Sequence, residues 1–287
     1  MLTTNELKTL LQDHHLRLTK RLGQHHLVDP RIVEQLLDRW ELSRDETVVE
    51  IGAGLGALTE PLAQRVGRVI AVEVDRAICA LLAERLAAQR QVTVRCEDIL
   101  DFSWENLKNV TVVGAIPYHI TSQIVIRLCE SRDHIRRALL IVQEEVAERL
   151  LAKPGTKSYG RLSILIQYGW DASRLLAVPR RAFFPQPRVD SSCVQLIRRG
   201  SPPAILANEP LFFALVKAAF SHRRKTLVNC LTSEPSLRIA RPQAEVLLRR
   251  VGLPVSVRGE TLSLAQFAAL ANAMAGEPSP DARVNDG

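Results

Sequence analysis

No apolar run in this sequence approaches the roughly 18 residues that a membrane-spanning helix needs, so no membrane association is expected. Residues 1–20, MLTTNELKTLLQDHHLRLTK, mix acids and bases among the leucines and lack the apolar stretch of a secretory signal, so a cytoplasmic location is expected. The five cysteines (Cys79, Cys96, Cys129, Cys193 and Cys230) are widely spaced, odd in number and form no C-x-x-C pair. That argues against a disulfide framework and a cysteine zinc site, and each is expected to be a small core residue. The pairs His14-His15 and His25-His26 have no partners at metal-ligand spacing, so no metal is expected. No internal repeat stands out, and nothing in the pattern asks for more than a monomer.

What the sequence does have is a basic excess. Lysines and arginines number 38 against 31 acids, a formal charge of +7, on a chain whose 46% apolar and 24% charged content is that of a soluble globular protein. An anionic partner is implied, nucleic acid being the commonest. The bases cluster at Arg17/Lys20/Arg21, Arg180/Arg181/Arg188, Arg198/Arg199 and His222-Arg223-Arg224-Lys225.

From about residue 31 to 150, short β-rich runs alternate with helical patterns. TVVEI (47–51), RVIAVEVD (68–75), VTVRCED (92–98), NVTVVGAI (109–116) and RALLIVQ (137–143) read as strands, with i, i+3, i+4 apolar spacing between them. Such strands joined by right-handed helical crossovers form a doubly wound, Rossmann-like α/β sheet covered on both faces. Beyond residue 155, RLSILIQYGW (161–170), RLLAVPRRAFFPQP (174–187) and SSCVQLIRR (191–199) read as further strands. RRGSPPAILANEP (198–210) reads as a linker, and the segments after it as helices, the last with a Ser263/Gln266 capping box. The expected division is an α/β domain over residues 1–200, a small α-helical domain over 201–275 and a disordered tail over 276–287.

The first strand runs into EIGAGLGALTE, where Gly52, Gly54 and Gly56 let the backbone turn tightly and approach a ligand ahead of a helix. Gly52-x-Gly54-x-x-Ala57 also satisfies the dinucleotide fingerprint, so this turn leaves NAD open. The next two strands narrow the choice. Glu73 ends the second, where a ribose diol would lie; Asp75 reads as the N-cap of the following helix. Asp98, at the end of the third, can accept a hydrogen bond from an adenine amino group. A site this acidic suits a cationic sulfonium better than a pyrophosphate, which points to S-adenosyl-L-methionine.

The fourth strand ends in Ala115-Ile116-Pro117-Tyr118, similar to the NLPY motif of adenine-N6 methyltransferases. Pro117 removes a backbone donor and biases Ile116 to an extended conformation, so carbonyls there can face a substrate amine. Tyr118 offers a face for a base extruded from its stack. With RLGQHHLVDP, EIGAGLG, YGRLSILIQY, AFFPQPRVDSS and AAFSHRRKTLVNCL in order, residues ~16 to 272 resemble the KsgA-type small-subunit rRNA adenine dimethyltransferase family.

The resemblance implies a class I SAM-dependent methyltransferase sheet with a C-terminal domain that contributes to rRNA docking. The implied cofactor residues are His25, Leu27, Gly52, Gly54, Gly56, Glu73, Asp98 and Ala115. Those around the target base are Ala115, Ile116, Pro117, Tyr118 and Phe183, the last as a second aromatic jaw. Arg17, Lys20, Arg21, Arg223, Arg224 and Lys225 are the implied RNA contacts, the last three near the middle of a helix. The implied partner is small-subunit rRNA in the assembling small ribosomal subunit. Two departures stand out. Ala115 replaces the family's Asn, removing a side-chain amide, and GQHH replaces GQNF, putting His25 where a cofactor-contacting Asn stands. Removal of a transition-state acceptor can cost ~10²–10³ in rate, so an assembly factor with weak or absent methylation is the competing expectation. The large-subunit methylases that confer macrolide resistance are a third, which AFSHRRKTL and RGETLSLAQFAALA disfavour.

Overall fold

The structure is a computed structural model that describes residues 2–16 and 25–276. Arg17, Lys20 and Arg21, expected as RNA contacts, lie outside the described residues, as do tail residues 277–287. The chain divides into two compact units, Met1–Ala147 with Asp171–Arg198, and Glu148–Trp170 with Arg199–Gly287.

The first unit opens with α1 (Thr4–Asp13), β1 (His26–Leu27) and α2 (Pro30–Trp40). Helix α2 starts at the Asp29 N-cap with proline in its first turn, and buries Val33, Leu36, Leu37 and Trp40 at helical spacing. Strands and helices then alternate through β2 (Thr47–Ile51), α3 (Thr59–Arg65), β3 (Arg68–Glu73), α4 (Arg76–Arg85), β4 (Val92–Cys96), β5 (Val110–Ala115), α5 (Thr121–Glu130) and β6 (Ile135–Gln143). Helix α6 (Glu144–Leu151) and helix α7 (Arg161–Gly169) follow, then β7 (Trp170–Val178), β8 (Phe183–Phe184) and β9 (Ser191–Arg198).

Seven strands form one sheet in the order β4-β3-β2-β5-β6-β9-β7. The first five run parallel, and β9 is antiparallel to β6. Strand order reverses between β2 and β5, the place where open α/β sheets bind ligands beyond their carboxyl ends. These two strands approach closely: a Cβ on Gly114 would stand 2.5 Å from the Ile51 carbonyl oxygen. Outside the main sheet, β1 pairs with β8, His26 opposite Phe184 and Leu27 opposite Phe183.

The second unit packs α7 with α8 (Glu209–Ala219), α9 (Leu227–Thr232), α10 (Arg241–Arg250) and α11 (Leu264–Met274). Residues 161–169, expected as a strand, are therefore a helix. Their apolar run is short enough to fit either structure, and only its surroundings decide. Ser163, Ile164, Leu165, Ile166 and Tyr168 are buried, with the Tyr168 ring 5.3 Å from that of Phe212 and its hydroxyl donating to Glu209 Oε2 at 2.9 Å. This packing draws 148–170 into the helical unit, so the chain crosses between the units three times, after residues 147, 170 and 198, and not once near residue 200.

A second correction concerns the basic cluster. Helix α8 ends at Ala219, and Arg223, Arg224 and Lys225 lie in the turn before α9, not within a helix. The Thr226 side chain caps α9 by accepting from Asn229 N, and such a cap needs extended backbone. Among the cysteines, Cys96 on edge strand β4 is exposed, contrary to expectation; the other four are buried.

Gly114→Ala should force β5 away from Ile51 and lower stability by about 1–3 kcal/mol, as overpacking does. Urea unfolding would show this as a lower midpoint with an unchanged slope.

Candidate active site

At the β2 tip, the N–H groups of Gly52 and Ala53 both donate to the Val72 carbonyl of β3, at 2.9 and 3.1 Å, turning the chain back over the neighbouring strand. Gly52 and Gly54 adopt φ of +67° and +55°, and a Cβ on Gly54 would lie 2.7 Å from the His26 ring. Only glycine combines that backbone with that proximity. Gly56 behaves differently from expectation: its open side meets Leu82 and Arg85 of α4, so it serves packing and does not line the cavity.

Glu73, the last residue of β3, is 7% exposed. Its Oε2 accepts from Gly54 N at 2.9 Å, and its Oε1 from Val74 N and Asp75 N at 3.0 Å each. Burial raises its carboxyl above the usual carboxylate range, while these three donors oppose the rise. Asp75 caps α4 as expected, accepting from Ala77 N and Ile78 N. Asp98 is half-buried beyond β4 and accepts from Leu100 N at 2.9 Å. Behind the turn, Glu50 is 2% exposed and its Oε2 has no partner. Burial, reinforced by the Glu73 charge, pushes its carboxyl up to about 8, so it is held in the acid form at neutral pH.

A cavity of about 170 Å³ runs from Gly52, Gly54, Glu73 and Asp98 to the tip of β5. Ala115, Ile116, Pro117 and Tyr118 line it as expected. Ile116 is locked by its N–H to the Ile141 carbonyl at 3.0 Å. The Pro117 carbonyl is taken up internally by Ile120 N and Thr121 Oγ1, so it is not free to face a substrate. Tyr118 bonds through its hydroxyl to Ser191 Oγ at 2.9 Å, and burial raises that hydroxyl above its ordinary value. Phe183 forms part of the wall, 4% exposed and anchored in the core.

The segment before α2 divides its residues between the two ends. His25 lies against Tyr118, ring centroids 5.3 Å apart, and its Nδ1 is 2.6 Å from the Pro185 carbonyl. Next to it, His26 reaches Gly54. Burial, with a smaller effect of His25, lowers the His26 ring to about 4, and its Nε2 has no partner. Leu27, expected at the cofactor, instead buries its side chain in the core opposite Phe183 because the strand alternates its faces. Sequence reasoning missed His26, Ser191 and Pro185. The second histidine of GQHH was the one available signal; the other two residues matter only as hydrogen-bond partners.

Residues 15–273 match the model of the ribosomal RNA adenine dimethylase family. The chain belongs to this family. The ribosomal RNA small subunit methyltransferase A of Geobacillus kaustophilus is 40% identical over 95% of this chain and 96% of its own, and that of Bacillus mycoides 39% over the same shares. Among solved structures, a dimethyladenosine transferase from Plasmodium falciparum superposes with a TM-score of 0.74 at 24% identity, covering 88% of this chain and 98% of its own. The 23S rRNA methyltransferase ErmE gives 0.63 at 27%, covering 87% and 99%. The dimethylase therefore has the class I SAM-dependent methyltransferase fold, and S-adenosyl-L-methionine is its cofactor. The donor set fits that group: a glycine cradle that a Cβ would fill, a buried carboxylate beside it, and apolar Val74, 49% exposed, at the rim.

Glu50 offers a test of this electrostatic arrangement. Its carboxyl titrates near 4.5 when unfolded and near 8 when folded, so its stabilising contribution is full below the lower value and is lost as pH rises through the upper. Wild type should lose stability relative to Glu50→Gln between about pH 5 and about pH 9. Equal pH dependence of the two unfolding midpoints would contradict the assignment.

Proposed function

We propose that this enzyme transfers methyl groups from S-adenosyl-L-methionine to the N6 atoms of two adjacent adenines in the 3′-terminal hairpin loop of small-subunit rRNA. It acts one methyl at a time, as a cytoplasmic monomer on an assembling subunit. The observation that carries this reading is the convergence in one cavity of the Glu73-bound glycine turn and the Ala115–Tyr118 strand tip. The small-subunit substrate is supported by relatives that bear that name at about 40% identity, against 27% for the large-subunit enzyme ErmE. No described helix is long and apolar enough to cross a membrane.

In this reading, Glu73 takes a ribose hydroxyl on its one remaining lone pair, on Oε2, and Asp98 the adenine amino group of the cofactor. Gly52 and Gly54 leave room for the cofactor to approach the backbone. Tyr118 holds the flipped base, offsetting part of the few kcal/mol that unstacking costs. The cofactor supplies an activated methyl group. The chain needs no dedicated base, because the ammonium formed at N6 is itself acidic.

Of the basic turn, Arg223 is engaged within its own unit: it pairs with Glu260 at 2.7 Å and donates to the Lys157 carbonyl. Its role is to hold the turn. Arg224 and Lys225 are exposed beside it and contact phosphate.

Labelled methyl transfer to small subunits lacking the modification, with mass-spectrometric mapping, should yield dimethyladenosine at two adjacent loop positions. Tight binding of cofactor and subunit without transfer would leave the assembly-factor reading that Ala115 favours. Arg224→Ala with Lys225→Ala should weaken subunit binding and reduce the slope of log affinity against log salt by about 0.7–0.9 for each phosphate no longer neutralised. Arg223→Ala should act instead through a loosened turn, with a lower unfolding midpoint for the helical unit.

A further inference from the structure

We infer that His25 is a hydrogen-bond acceptor for the N6 amino group of the target adenine and stands in for the amide that Ala115 lacks. This inference rests on the proposed methylation and adds a residue to its target-base site.

The Pro185 carbonyl can only accept a hydrogen bond, so the 2.6 Å contact requires the proton on His25 Nδ1. In the neutral ring Nε2 is then the unprotonated nitrogen, and the neighbouring contact fixes the tautomer. No described residue bonds to that Nε2, and His25 lines the cavity that holds Ala115 and Tyr118.

Its position is on the base side. The ring lies at 31° to that of Tyr118, and Pro185 directly follows the two phenylalanines of β8. The cofactor side of the same segment belongs to His26, which meets Gly54. Two nearby groups that could have served the amine are committed elsewhere. The Tyr118 hydroxyl is bonded to Ser191, and the Pro117 carbonyl to Ile120 and Thr121. An alanine side chain offers nothing. Of the two histidines left at this end of the cavity, His119 is exposed and its ring makes no hydrogen bond among the described residues, whereas His25 is held in place by the bond of its Nδ1 to Pro185.

An adenine amine attacks poorly while its lone pair is delocalised into the ring. A fixed acceptor on one N–H favours the pyramidal nitrogen that attack needs. The same acceptor serves the monomethylated amine, which keeps one N–H for the second transfer.

Two measurements test this without relying on turnover. Nitrogen-15 NMR of ring-labelled protein should show His25 protonated at Nδ1 and bare at Nε2 in the free enzyme. With S-adenosylhomocysteine present, hairpin RNA carrying adenine at the target position should bind about threefold to tenfold tighter than RNA carrying purine, which lacks the 6-amino group. His25→Phe should abolish that preference. His25→Gln, whose carbonyl can occupy the Nε2 position, should retain it, and Ala115→Asn should restore it in the His25→Phe background. A merely structural His25 would weaken both RNAs equally and leave the ratio unchanged. A proton found on Nε2, or an adenine preference that persists in His25→Phe, overturns the assignment. Absence of methyl transfer by the wild-type enzyme would remove the proposed reaction and this role together. Transfer with an unaltered ratio in His25→Phe removes the role alone.

Discussion

The buried carboxylate of Glu73 is the constraint on which the cofactor half depends. A carboxylate taken out of water is tolerated only when most of its lone pairs are filled, and here three backbone N–H groups fill all but one. One of those donors, Gly54, belongs to the turn after β2, and the other two follow β3. The bond therefore fixes the glycine turn against the adjacent strand and presents one acidic face to the cavity. Glu50 sits behind it and is held neutral by the same burial, so the site carries fewer negative charges than its sequence suggests.

The target-base half is held by a different set of long-range ties. Tyr118 is anchored to Ser191 at the start of β9, and His25 to Pro185 beyond β8. Two-stranded pairing of β1 with β8 links the same segments through the backbone. Parts of the chain more than seventy residues apart thus position one aromatic ring and one imidazole. Ile116 is meanwhile fixed to Ile141 of β6, so the strand tip has little freedom to rearrange around a substrate.

Local signals in the sequence were enough for much of this. Buried apolar runs marked β2, β3, β5 and β6, and the Asp75 and Ser263 caps follow from side chains that bond amides two or three residues away. The glycine turn, Glu73 and the Ala115–Tyr118 tip were legible because each is a short contiguous motif at a strand end. Helix α7 was not, since a nearly continuous apolar run fits a buried strand or a buried helix equally until its neighbours are known. Leu27 and Gly56 sit inside matching motifs, yet their side-chain positions face the core and α4.

By itself, then, the sequence determined the alternation of strand and helix, the parallel part of the sheet, the acidic glycine-rich site at its switch point and the membership of a family. Those properties depend on periodicity and on residues close together in the chain. Tertiary structure alone decided which charges are free and which nitrogen carries a proton. Arg223 reads as an unpaired charge until Glu260 is seen beside it, and nothing in the sequence near His25 shows that the Pro185 carbonyl will accept from its Nδ1. The physical reason is common to both: hydrogen bonds and ion pairs depend on atoms within about 3 Å, and distant segments reach that distance only after the chain has folded.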